Sequence, residues 1–246
     1  MLCRPPSLAA GAPPSRLASR PSTLEMEKKT PRRTRERILA LSLRMFNEIG
    51  EPNVTTSAIA DEMNISPGNL YYHFRNKEDI VNALFEDFER EIDKVLDAAA
   101  GSERASVEDA WFLLHLLFET IWKHRFLYRD LNDLLSRNRR LESYFNQLLE
   151  RKTKAASALH SARAARGELV ASPREIEALA TNMVVVATYW LSYEYVSNAR
   201  RFSDAAYQGA AIARGAYQVL SLTGAYLTGP SRQLWQRLAD QYLPAG

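Results

Sequence analysis

From Thr34 onward, apolar residues recur at near-helical spacing. Ile38, Leu41, Leu43, Met45, Phe46 and Ile49 mark a first helix, which Gly50 and Pro52 stop. A second, short helix follows Thr55 or Thr56, with Ile59, Ala60 and Met63 as its apolar face. Ser66-Pro67 opens a third, carrying Leu70, Tyr71 and Phe74. Lys77-Glu78 opens a fourth, with Ile80, Leu84, Phe85 and Phe88 on one side. Past Gly101-Ser102 the pattern predicts helices at about 106–124, 138–166, 173–199, 203–223 and 230–242, with a weaker short helix inside 125–140. Ser172-Pro173 with Glu175 is a clean start: a cap, a proline in the first turn, and an acid at the positive end of the dipole. No stretch alternates as a strand would, and no segment repeats. The fold class expected is all-α.

The segment before this pattern differs in kind. Residues 1–25 are rich in Pro, Ala, Ser and Arg, hold no acid before Glu25, and show no periodicity, so they read as disordered. Such a leader is either a transit peptide or sequence upstream of a start at Met26. The clean opening MEKKTPRRTRERIL favours the second. The chain has 246 residues, 46% hydrophobic and 25% charged, enough for a real core. A net charge of +3 is too small to argue for nucleic acid by itself. The single cysteine, Cys3, allows no disulfide within the chain and no Cys-based metal site, which suits a reducing cytoplasm. The longest apolar run, Met183–Ala187, is far below the ~18 residues of a spanning helix, and no membrane partner is expected.

Candidate chemistry concentrates in VTTSAIADEMNISPGNLYYHF, residues 54–74. Two short helices that cross steeply need small residues at the contact and a turn residue tolerant of positive φ. Ala58 and Ala60 are small, Asn64 is the best substitute for Gly in the left-handed region, and Ile65 plugs the space between the helices. Ser66 caps the next helix and Pro67 fits its first turn. Gly68, Asn69, Tyr72 and His73 then face outward. Asn can pair with adenine edges, and Tyr, His and Lys donate to phosphate, with Lys77 placed at the groove edge. Upstream, Lys28 to Arg37 holds six cations against one acid. Just before a helix-turn-helix, such a run adds phosphate contacts and salt-sensitive affinity.

These residues resemble the TetR-type bacterial transcriptional regulators. The resemblance covers about residues 32–80 and is carried by RERILALSLRMFNEIG, TTSAIADEMNIS and PGNLYYHFRNKEDI. Asn64 stands where that family usually has Gly, and Asn69 where Thr is common. The resemblance implies a helix-turn-helix head at 27–80 on a helical dimerisation and effector-binding body at 81–246; the composition sets the leader at 1–26 apart from both. It implies that Thr56 caps the first motif helix and touches phosphate, with Thr55 beside it. Ser66, Pro67, Gly68 and Asn69 would begin the recognition helix. Tyr71 and His73 would contact the backbone, Tyr72 would read the groove, and Lys77 would bind phosphate. Tyr71 has a second reading, half-buried packing with only its hydroxyl exposed.

The body offers weaker signals. Trp111, His115, Phe118 and Trp122 fall at i, i+4, i+7 and i+11. This stripe is either core or the wall of an effector pocket, joined by Tyr189 and Tyr193. His115 and Glu119 lack a third metal ligand. Helix 173–199 is apolar on more than one face, and helix 203–223 is rich in Ala and Gly. Together they suit a four-helix homodimer interface. The basic middle, Arg125 to Lys154, reads as solvated surface, with an anionic ligand such as an acyl thioester as the other reading. No catalytic motif or cofactor fingerprint occurs, so no enzyme is expected. The function expected is a cytoplasmic homodimeric repressor. It would bind a near-palindromic DNA operator and leave it when a small-molecule effector binds. The other reading is an architectural or cell-division DNA-binding protein without an effector. A cavity or a filled core in the body discriminates the two.

Overall fold

The computed structural model describes residues 31–100, 106–202 and 204–242. The leader at 1–26 and residues 28–30 of the basic run lie outside the described residues, while Arg33, Arg35 and Arg37 fall in α1. The head comprises α1 (Pro31–Ile49), a 3-10 turn (Glu51–Asn53), α2 (Thr56–Glu62) and α3 (Pro67–His73). α4 (Lys77–Ala100) leads out of the head. The body adds α5 (Val107–Lys123), α6 (Arg125–Arg129), α7 (Leu131–Arg137), α8 (Arg139–Ala165), α9 (Pro173–Asn198), α10 (Ala205–Gly224) and α11 (Gly229–Tyr242). Among the described residues the only β pairing is an isolated bridge, Leu169 to Leu227. The weak segment at 125–140 is two short helices broken at Asp130.

Local chemistry explains the breaks. Ser106 and Ser172 each form a full capping box, with Asp109 and Glu175 reaching back to the cap. Asn138 caps α8 with both Arg140 and Leu141 amides. One continuous core runs from Ile38, Phe46 and Leu70 in the head through Phe85, Phe88 and Phe145 to Phe118, Trp190 and Val219 in the body. α5 packs on α4 and α10, while α8 packs on α4 and α9. A second, smaller cluster gathers Val107, Trp111, Leu169, Ile176, Leu220 and Leu227.

Gly215 on α10 leaves room for a close side-chain contact from α9 and α5. A Cβ there would lie 2.7 Å from Trp190 and 2.9 Å from Phe118. Ala211 and Ala216 are likewise buried. Part of the small-residue face expected for a dimer is therefore used inside the chain. Glu194 bridges α9 to α10 through Arg214, at 2.9 and 2.8 Å, and through the Tyr207 hydroxyl.

The head is seated on the body through the C-terminal end of α1. The Arg129 guanidinium donates to the carbonyls of Phe46 (2.7 Å) and Asn47 (3.3 Å). Asn47 donates to the Lys123 carbonyl and accepts from the Phe126 amide. The Glu51 amide donates to Asp130 at 3.0 Å. Because Arg129 is nine-tenths buried, its loss strands acceptors that water reaches poorly. Arg129→Ala should lower unfolding free energy by about 2–3 kcal/mol, measured by urea denaturation. A change below about 0.5 kcal/mol, the usual effect at an ordinary surface position, would refute this role.

Candidate functional site

The helix-turn-helix is built by local hydrogen bonding. Thr55 accepts from the Ala58 amide at 3.1 Å and has extended backbone, so it, and not Thr56, caps α2. Thr56 is the first helical residue, and its hydroxyl instead meets the Tyr71 hydroxyl at 3.3 Å. α2 ends at Met63. Asn64 then takes φ of 53°, and the Ile65 amide bonds back to the Ala60 carbonyl at 3.0 Å. That left-handed residue turns the chain toward α3. Ser66 accepts from the Asn69 amide at 3.2 Å. Leu70 and Phe74 are buried, so α3 is fixed by its inner face.

Its outer face is open. Ser66, Pro67, Gly68, Asn69, Tyr71 and Tyr72 are exposed, Tyr72 at 78%. Tyr72 rests edge-on against His73, with ring centroids 5.1 Å apart. Tyr71 is 49% exposed, with its hydroxyl held toward Thr56. Arg35 of α1 lies over the Phe74 ring at 4.9 Å. Lys77 is engaged: its ammonium donates to the Glu51 carbonyl at 2.9 Å and pairs with the Glu51 carboxylate at 3.2 Å. Arg137 takes the other carboxylate oxygen at 2.5 Å. Lys77 therefore ties α4 to the 3-10 turn, a role the sequence did not reveal.

Two family models match the chain. One, described as bacterial transcriptional repressor, spans residues 87–234, and one for bacterial regulatory proteins of the tetR family spans residues 38–84. The chain belongs to the TetR family of transcriptional regulators. Its α2–α3 unit is that family's DNA-binding helix-turn-helix. A TetR-family transcriptional regulator from Marinobacter aquaeolei VT8 is 35% identical, with a TM-score of 0.74, covering 86% of this chain and 99% of that one. The ketosteroid transcriptional regulator KstR2 of Mycobacterium tuberculosis shares the fold at 20% identity and a TM-score of 0.60, over 80% of this chain and 96% of that one. The nucleoid occlusion factor SlmA of Vibrio campbellii is 29% identical over 126 residues, which are 50% of this chain and 64% of that relative.

The TetR-family body holds a cavity of about 130 Å³ that is open to the surface between α5 and α8. Ala110, Leu113, Leu114 and Leu117 face it from α5, Val95 and Leu96 from α4. Met183, Val184 and Ala187 close it from α9, and Val219 and Leu220 from α10. The aromatic stripe takes a different place. Trp111 is buried in the smaller cluster, Phe118 lies against the Gly215 approach, and Trp122 packs on Phe202 at 4.9 Å. His115 pairs with Glu119 at 3.4 Å on the partly exposed side. α5 is apolar on two adjoining faces, and the one shifted from this stripe meets the void. Tyr189 and Tyr193 lie on the outer face of α9, in a shallow surface groove with Val185 and Gln218.

Lys152 falls among the cations of the basic middle expected on the surface, yet it lines the cavity and is 6% exposed. Its ammonium has no hydrogen-bond partner and lies 5.6 Å from the Tyr128 ring centroid. Burial pushes it down to about 8. In the unfolded chain the group titrates near 10.4. Between these values the unfolded state holds more protons, so stability climbs as pH rises through them, and the penalty is complete below pH 8. That penalty is about 3 kcal/mol. Lys152→Met should therefore stabilise the protein at pH 7 by about that order, an advantage that narrows between pH 8 and 10.5. Thermal unfolding across this range is the check. A variant less stable at pH 7, or an advantage that grows with pH, would contradict it.

Proposed function

We propose that the protein is a homodimeric repressor that binds a near-palindromic operator and is released when a small molecule fills the body cavity. The cavity carries this reading, because one of its lining residues, Lys152, keeps a buried ammonium with no counter-ion, and such a group is costly unless something pairs with it. The exposed outer face of α3 supports DNA contact through Asn69, Tyr71, Tyr72 and His73, with Thr55, Thr56, Ser66, Pro67 and Gly68 near phosphate. Lys77 acts in this reading more as a brace for α4 than as a free phosphate ligand.

Dimerisation is supported by α9. Val185, Tyr189, Tyr193 and Val196 are exposed at 51%, 49%, 62% and 83%, and they fall on one helical stripe. Such a patch on a regulator reads as an interface. On α10, Ala206, Gly209 and Ala210 are also exposed and leave room for close approach. Two heads held by this pair would read half-sites about one helical turn, ~34 Å, or a multiple apart.

The likeness to nucleoid occlusion factors favours a second reading, a DNA-binding factor of cell division that needs no small effector. The cavity argues for the first. Three variants probe the proposal. Tyr72→Ala and Asn69→Ala should each weaken gel-shift binding to DNA flanking the protein's own gene by roughly 10- to 100-fold, with sedimentation still showing a dimer. Tyr193→Glu together with Val196→Glu should yield monomers that no longer bind. Unchanged DNA affinity in the first pair would remove α3 as the reading helix, and intact dimers in the double variant would remove the α9 stripe as the interface.

A further inference from the structure

We propose that Lys152 anchors the carboxylate of a small amphipathic monoanion whose apolar tail, of about six carbons, fills the cavity between α5 and α8. The inference rests on the cavity being the effector site, and it names the chemistry that site selects.

The lining is hydrocarbon almost throughout. Its polar groups all come from one face of α8: Lys152, His160 and Arg163. No carboxylate is among the lining residues. Arg163 is already engaged, donating to the Ser106 carbonyl at 2.9 Å. His160 faces the Met183 sulfur at 3.1 Å, and burial drives the ring down to about 4, so it is neutral at pH 7. A thioether sulfur is only an acceptor, which assigns the His160 proton to Nε2. Lys152 is thus the one lining charge with no hydrogen bond, and it remains largely protonated at pH 7.

Neighbouring cations on α8 show the contrast. Arg140 meets Glu86 and Glu89, Arg151 meets Asp93 and Asp97, and Lys154 meets Glu150. Lys152 faces inward without a counter-ion. One unpaired positive charge matches one negative charge, which a carboxylate supplies and a phosphate dianion exceeds. The void is close to the ~150 Å³ apolar cavity that accepts benzene, which sets the tail length and excludes a nucleotide-bearing thioester from the interior. Leu113, Ala155, Ala156 and Leu159 are only partly buried, so the tail reaches the interior between α5 and α8. A carboxylate on the Lys152 ammonium forms a charge-assisted hydrogen bond in a water-poor site, where such bonds are strongest.

The test uses the full chain and unbranched acids from butanoate to decanoate, with hexan-1-ol and hexylamine as chain-matched probes, read by calorimetric titration at pH 7. Hexanoate should bind wild type at least about tenfold tighter than hexan-1-ol, with hexylamine weakest. In Lys152→Met hexanoate should fall to the level of hexan-1-ol. Lys152→Gln, which keeps a polar end without the charge, should fall likewise. Equal binding of hexanoate and hexan-1-ol to wild type overturns the proposal. So does hexanoate affinity unchanged in both variants, and so does a series in which no acid binds. A parallel gel shift separates the two readings. An acid that binds through Lys152 without releasing DNA leaves the anchor standing and sinks the effector reading. Release by hexan-1-ol as readily as by hexanoate does the reverse.

Discussion

The rest of the structure hangs on how α1 ends. A helix C-terminus leaves carbonyls without partners, and most helices meet this need locally. Here Gly50 turns the chain away at φ of 92°, and Arg129 of α6 supplies the donors to Phe46 and Asn47. Arg129 also approaches the position a Gly50 Cβ would take, at 3.1 Å, so a larger residue would crowd the guanidinium. Asn47 adds bonds on both sides of the α5–α6 junction. The head thus borrows its closure from the body, and its angle is set by where α6 sits. α6 in turn packs on α9, with Arg129 over Tyr195 at 5.7 Å. The same helix carries the exposed apolar stripe and part of the cavity wall.

Buried charge is handled in two ways, and the contrast is informative. Glu51 is almost wholly buried and is held by both Lys77 and Arg137. Glu194 is held by Arg214 and Tyr207. Each lies where two elements must keep register, and each has both oxygens paired. Removing one partner from such a group is far costlier than never having had the pair. Lys152 breaks the pattern with no carboxylate and no hydrogen bond. Local inconsistencies of this kind are expected where a site is built for something other than stability.

The head was legible because its structure is made by neighbours in sequence. Caps at Ser66, the left-handed Asn64, and the alternation of Leu70 and Phe74 with exposed residues all act within a few positions. Even there, the choice between Thr55 and Thr56 as cap depended on one residue of backbone geometry, and the grip of Lys77 on Glu51 spans 26 positions. The body was legible as helices but not as a site. α5 has two adjoining apolar stripes, and periodicity alone does not say which one meets α10 and which meets a void. Lys152 carried a usable signal. Leu141, Phe145 and Leu148 are buried on α8, and Lys152 continues their i, i+4, i+7, i+11 register. A cation on the inner stripe of an amphipathic helix differs from one on its polar face.

A ligand shifts an equilibrium only by its differential affinity for the two states. The geometry says where that difference could arise. α4 is a single helix of 24 residues, which at 1.5 Å per residue is about 36 Å long. Near one end Val95 and Leu96 line the cavity, and at the other Lys77 grips the turn that precedes α2. α1, by contrast, is held at its far end by Arg129 and Asn47. A tail that needs more room than the empty cavity offers must press on its walls. α5, α9 and α10 are locked together by the Gly215 contact and by Glu194 with Arg214, whereas α4 ends beside the partly exposed rim, held there to α8 by the exposed pairs of Arg151 with Asp93 and Asp97. Displacement at that end would tilt α4 against a head whose α1 stays fixed, and the strain would fall on the Lys77–Glu51–Arg137 junction. That junction is therefore where occupancy of the cavity and orientation of α3 would meet.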